Sequence, residues 1–161
     1  MYSRSTTGIL LAFVVMLLLP LRLQAAACSA TRIDLRGPWG QTSFNVELAQ
    51  TPRERAIGLM NREQMDTGSG MLFIYPGPQP VAFWMKNTLI PLDMLFIDMA
   101  GRIVTIHENA RPLDETPIPG GDNILAVLEI NGGLSREIGL TVGSSVRHPA
   151  FDRSKALWPC E

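Results

Sequence analysis

Lys86, Asn87 and Thr88 follow an apolar run at residues 81–85 and precede Asp93, and Trp84 stands two positions before the lysine. Polar side chains at the end of a buried strand, beside an indole ring, are a common way to build a ligand pocket. The apolar wall excludes water and the few polar groups fix orientation. Lys86 with Asp93 suits an anionic or hydroxylated ligand. The plainer alternative has Asn87 and Thr88 satisfying turn backbone groups and Lys86 solvated. Asp93 lies between Leu92 and Met94 in a segment that reads as buried on both sides. A buried carboxylate without a partner is costly, so a partner is required. Arg55 is the first candidate, and the backbone N–H groups of the turn at residues 87–90 are the second. Such a pairing reads as a structural ion pair before it reads as catalysis.

Metal chemistry has thinner support. His107, Glu108 and Glu129 are the candidate ligands, with His148 a fourth, but three or four donors must converge and no spaced His or Cys motif is present. Cleavage of a leader at residue 27 would leave six methionines, among them Met85 beside Trp84. Thioethers suit copper(I), yet most of these methionines sit in apolar segments where they fill core. No nucleophile elbow, dinucleotide fingerprint or phosphate loop appears, so no cofactor is expected. Asp93, Glu108 and Glu129 leave room for a carboxylate-based hydrolase. The 161 residues carry a net charge of −1, which lacks the footprint of a nucleic-acid binder.

These groups must be positioned by a domain outside the cytoplasm. Residues 9–19 form an uncharged apolar run, Pro20 breaks it, and residues 25–27 are all alanine. As a helix the run reaches roughly 16 Å, too short for a ~30 Å hydrocarbon core, so residues 1–27 read as a signal peptide rather than a membrane span. Residues 28–161 then form a single periplasmic or secreted domain. In that compartment Cys28 and Cys160 are expected to form a disulfide joining the chain ends. Acylation of Cys28 in a lipoprotein is the competing possibility, weakened by Ala25 where a lipobox usually has leucine.

The mature chain alternates short apolar segments with Gly/Pro-rich turns, which predicts a mainly β domain. Two strands, residues 31–35 and 43–48, flank a turn at residues 37–40. Thr51, Pro52 and Glu54 write a capping box for a helix over residues 52–60. Further strands are expected at 71–75, 81–85, 92–99, 102–108, 123–130 and 142–147. The prolines at 76, 78 and 80 exclude helix or central strand there, residues 109–122 read as a long loop, and residues 132–139 as about one helical turn. Strand 92–99 is apolar on both faces and needs cover on both. A two-layer jelly-roll-like sandwich or a small barrel, with one or two short helices, provides it.

Four ordered blocks, RAIGLM (55–60), GMLF (70–73), FWMKNT (83–88) and PLDMLFID (91–98), with ILAVLEINGG (124–133) after them, resemble the family called domain of unknown function 192. The resemblance spans residues 43–147. It implies a mainly β, jelly-roll-like domain and brings no activity, cofactor or catalytic residue. The residues themselves point to a non-enzymatic exported domain that binds a small polar ligand or an envelope partner through Arg55, Trp84, Lys86, Asn87, Thr88 and Asp93. A small hydrolase and a purely structural envelope domain are the alternatives.

Overall fold

The computed structural model describes residues 28–161, so the expected signal peptide lies outside the described residues. Among them, seven strands and two short helices follow in the order β1 (Arg32–Gly37), β2 (Gly40–Ala49), α1 (Pro52–Ile57), β3 (Ser69–Phe83), β4 (Leu92–Ile97), β5 (Ile103–Ala110), β6 (Ile118–Asn131), α2 (Leu134–Ile138) and β7 (Ser145–Arg147). They make one sheet in the order β5-β4-β6-β3-β2-β1-β7. Its two outer strands meet at one end. Arg102 bridges Ser145, Ile103 N–H donates to Ser144 O at 2.9 Å, and Val146 N–H donates to Gly101 O at 2.8 Å. The sheet therefore curls into a small barrel, which leaves little unpaired edge. Of the two architectures the sequence allowed, this is the second.

Local chemistry explains the elements. Pro38 and Trp39 form a two-residue turn, with Gly37 opposite Gly40. The capping box at α1 is complete. Thr51 Oγ1 accepts from Glu54 N–H at 3.2 Å, and the Glu54 carboxylate accepts from the N–H groups of Gln50 and Thr51 at 2.8 and 2.9 Å. The helix stops at Ile57 rather than residue 60, because Gly58 at φ 49° turns the chain.

Two expectations fail in one place. Residues 76–80 belong to β3, and residues 118–122, expected as loop, belong to β6. β2 pairs with β3 only from Ser69 to Phe73, so beyond Ile74 one side of β3 is a free edge. Its pairing with β6 there shifts register at Ile74, Gln79, Val81 and Ala82. Free edges and bulges are where a strand tolerates proline. The segments expected at 71–75 and 81–85 are thus one strand, and the eight expected strands become seven.

Apolar residues fill both faces of the sheet. Ile33, Leu35, Leu72, Leu95, Ile97 and Leu128 lie in the cluster inside the curl. Met71, Phe73, Leu92, Met94, Phe96 and Val127 lie in a second cluster on the opposite face, under the segments that connect the strands. β4 contributes to both, as its two-sided apolar pattern requires. Three of the methionines weighed as copper ligands, Met71, Met85 and Met94, are core here.

The chain ends are tied together. Cys28 and Cys160 form a disulfide with Cα atoms 5.7 Å apart. The bridge uses the thiol that lipidation would need. Nearby, Arg147 donates to Asp34 at 2.7 Å in a buried ion pair, and Trp158 stacks against Arg36 and Arg147 at 4.3 and 4.6 Å. Burial pushes the Asp34 carboxyl up, but Arg147 and Arg32 together hold it below its ordinary value.

The bridge closes a loop with a sequence separation of 132 residues. The Cys28→Ser/Cys160→Ser double variant is expected to unfold at lower urea with a loss approaching about 5 kcal/mol, the chain-entropy limit for a loop of that size. Equal unfolding free energies with and without reductant would show that the ends are held without it.

A partnerless glutamate under the α1 segment

β6 carries the sequence ILAVLEIN through the middle of the sheet, and its one acidic residue there is Glu129. Register places Glu129 opposite Met71 of β3 and Met94 of β4. Both methionines belong to the outer apolar cluster, so the glutamate points into that face. It is only 4% exposed. Burial alone pushes its carboxyl up, from an ordinary 4.5 to about 8, and among the described residues no hydrogen bond or opposite charge acts on it. At neutral pH the group is therefore a protonated acid, able to donate.

Glu129 lines a cavity of about 110 Å³ with Arg55, Tyr75, Trp84, Lys86 and Thr88. Two segments wall it over the sheet: α1 with the turn after it, and the end of β3 with the turn that follows. Asn61 N–H donates to Asn87 O at 2.8 Å and clips the two together. Both asparagines sit at positive φ, 60° and 53°, a conformation that asparagine tolerates better than most residues. Arg55 Nη1 donates to the carbonyls of Ile74, at 2.9 Å, and Gln50, and the guanidinium lies 4.9 Å from the Tyr75 ring. Burial pushes the Tyr75 phenol up; Arg55 opposes that shift and Glu129 adds to it. Lys86 Nζ lies 5.0 Å from the Trp84 ring and 3.9 Å from Glu115. The Thr88 hydroxyl donates to Lys86 O at 3.2 Å.

Four of the six expected pocket residues, Arg55, Trp84, Lys86 and Thr88, thus share one cavity. Asn87 clips the wall rather than lining it. Asp93 is a correction. It is fully buried, but neither Arg55 nor the turn at residues 87–90 is its partner. One oxygen accepts from Asn109 N–H and Gly133 N–H, both at 2.7 Å, and the other from Ser135 N–H at 2.6 Å. Asn109 and Gly133 donate from positive φ, 54° and 84°. Removing the carboxylate would leave three N–H groups unpaired, about 1–3 kcal/mol each. Beside it, the Ser135 hydroxyl is buried without a partner among the described residues.

The metal candidates disperse. His107 lines a different depression, with Met85, Asn109, Arg111 and Asp114. Glu108 pairs with Arg136 at 2.5 Å. His148 is buried, its Nε2 donating to Ala30 O at 3.0 Å and its Nδ1 accepting from Ala150 N–H at 3.1 Å. Among the described residues no three His, Cys, Asp or Glu side chains gather. Tyr75 is not among the residues whose types suggest chemistry in the sequence, and Glu129 stands there only as a ligand or base. The available signal was an acid inside an otherwise apolar strand.

The family model DUF192, described as an uncharacterized ACR, matches residues 35–148. A solved structure of a protein of unknown function from Novosphingobium aromaticivorans is 43% identical, with 71% of this chain and 82% of that one covered and a TM-score of 0.70. Another, from Sinorhizobium meliloti and described as a "putative transcription regulator", is 40% identical, with 79% and 99% covered and a TM-score of 0.73. No curated protein matches the chain.

The folded protein keeps the Glu129 proton up to about pH 8, whereas the unfolded chain releases it near 4.5. Its contribution to stability is complete below the lower value and is lost as pH rises through the window. Urea unfolding is expected to show stability falling between about pH 5 and pH 8 by on the order of 4 kcal/mol. Glu129→Gln flattens that dependence. A slope that survives the substitution would place its source elsewhere.

Proposed function

The chain belongs to the DUF192 family, and from that premise we propose that it is an exported, non-enzymatic domain that binds a small polar ligand in the Glu129 cavity. The observation that carries this reading is a nearly buried carboxyl without a partner, opening into a cavity edged by Arg55 and Lys86. An unpaired buried polar group lowers stability, and such groups concentrate where a ligand completes the hydrogen bonding. Apolar rings, Tyr75 and Trp84, and a few convergent polar groups are the usual composition of a binding pocket.

A hydrolytic role has less support. Asp93 is saturated by backbone donors. Glu129 holds its proton at neutral pH, which suits a donor rather than a general base. Export is supported by the leader-like residues 1–27 and by the disulfide, a bond that persists in oxidising compartments. Fractionation is expected to recover the protein in the periplasm or the medium, beginning at Cys28; a full-length chain in the cytoplasmic fraction would count against export.

Binding is tested by thermal unfolding against sugars, amino acids, small organic acids and divalent metals. A ligand at a hundred times its Kd adds about 2.7 kcal/mol, a shift of several degrees. At least one class is expected to raise the midpoint, with the shift reduced in Lys86→Ala and abolished in Glu129→Leu, each of which melts cooperatively. No shift from any class would remove the proposal.

A further inference from the structure

The geometry points to an organic monoacid as the ligand: its carboxylate head enters the Glu129 cavity and its apolar tail lies along Trp84. This rests on the binding reading above and adds a chemical class to it.

Size is the first argument. The cavity holds about 110 Å³. A 150 Å³ apolar cavity accommodates benzene, so this one takes a head of about four to six heavy atoms. A longer ligand must continue outside. A shallow depression of about 300 Å³ adjoins the cavity, sharing Ala82, Phe83 and Trp84 with it and adding Pro117. Three of those four residues are hydrophobic in side chain and the fourth is an apolar ring. Trp84 is 47% exposed and Ile57, on the opposite wall, 50% exposed. The site is thus a polar hole beside an apolar ledge.

Charge is the second argument. Lys86 already faces Glu115 at 3.9 Å. Arg55 has carbonyls and the Tyr75 ring in direct contact and, among the described residues, no carboxylate within 4 Å; Glu54 acts on it only through space. Neither Glu54 nor Glu115 lines the cavity, so with Glu129 neutral the charged groups on its wall are both cations, which matches an anionic head and disfavours a cation. The Glu129 O–H then donates to one carboxylate oxygen of the ligand, forming a carboxyl–carboxylate pair that shares one proton, and no covalent bond changes. The titratable groups facing Glu129 are Tyr75 from β3, Arg55 from α1 and Lys86 from the turn after β3. β4 presents only Met94 at the paired position.

Hexanoate and phenylacetate are the probes, with hexanamide and phenylacetamide as neutral counterparts, hexylamine as a cation, and acetate as a head without a tail. Calorimetric titration at pH 6.5 is expected to rank the two acids above acetate and at least tenfold above the amides. At pH 9 Glu129 is mostly ionised while the acids are unchanged, so their affinity falls about tenfold. Glu129→Gln retains an N–H donor, and is expected to bind both acids with no such fall. Glu129→Leu is expected to lose them while unfolding at equal or higher urea. Binding of the amides or the amine as tight as the acids, or acid affinity in the parent protein unchanged from pH 6.5 to 9, overturns the inference. If the acids fail and another polar class binds, this inference falls and the broader reading stands; if nothing binds, both fall.

Discussion

The Asp93 carboxylate, closed on by three backbone N–H groups, is the contact on which the rest of this architecture depends. Its donors come from the end of β5, from the glycine that opens α2, and from the first turn of α2. One side chain therefore holds two separate pieces of chain, the end of β5 and the start of α2, against β4. It also reinforces the pairing of β4 with β6, where Asp93 lies opposite Ile130. Side chains alternate across a strand, so the adjacent pair, Met94 and Glu129, faces the other side of the sheet. A slip of β4 by one residue would turn Asp93 toward the face that Glu129 occupies and away from its three donors.

The two carboxyls are one strand position apart in register and opposite in circumstance. Asp93 has all its hydrogen bonds supplied by the fold, so it is structural. Glu129 has none among the described residues and abuts a hollow. The same fold satisfies one buried acid completely and leaves its neighbour across the sheet bare. The walls around it follow the same logic. They are turns and a short helix clipped by backbone hydrogen bonds, laid over a sheet that is buried on both faces. The rigid layer carries the acid, while connecting segments supply the cationic and aromatic groups.

Much of the scaffold was legible in the residues. The two-sided apolar pattern of β4, the turn at Pro38 and Trp39, and the capping box at Thr51 each have a local cause, so local reading suffices. The long arms of β3 and β6 do not. Prolines at 76, 78 and 80 argue against a strand unless one knows that β2 ends at Ala49 and leaves an edge free. Asp93 was recognisable as a buried acid needing a partner, but its donors are main-chain groups, which carry no residue signature; Asn109 and Gly133 matter for their left-handed backbone, not their side chains. Arg55, Trp84, Lys86 and Thr88 were legible as chemistry. That they surround Glu129, and that Asp93 stands apart from them, depends on how distant segments fold over β3 and β6.

The bond between Cys28 and Cys160 makes nearly the whole domain a covalent ring, since it joins residues at the two ends of the described chain. A single proteolytic nick inside that ring releases no fragment; both new ends stay attached, and the barrel's contacts can hold the cut open segment in place. Two cuts are needed before any piece diffuses away. Wherever a protease reaches it, ring closure turns the first backbone scission from a loss of material into a local break held in place.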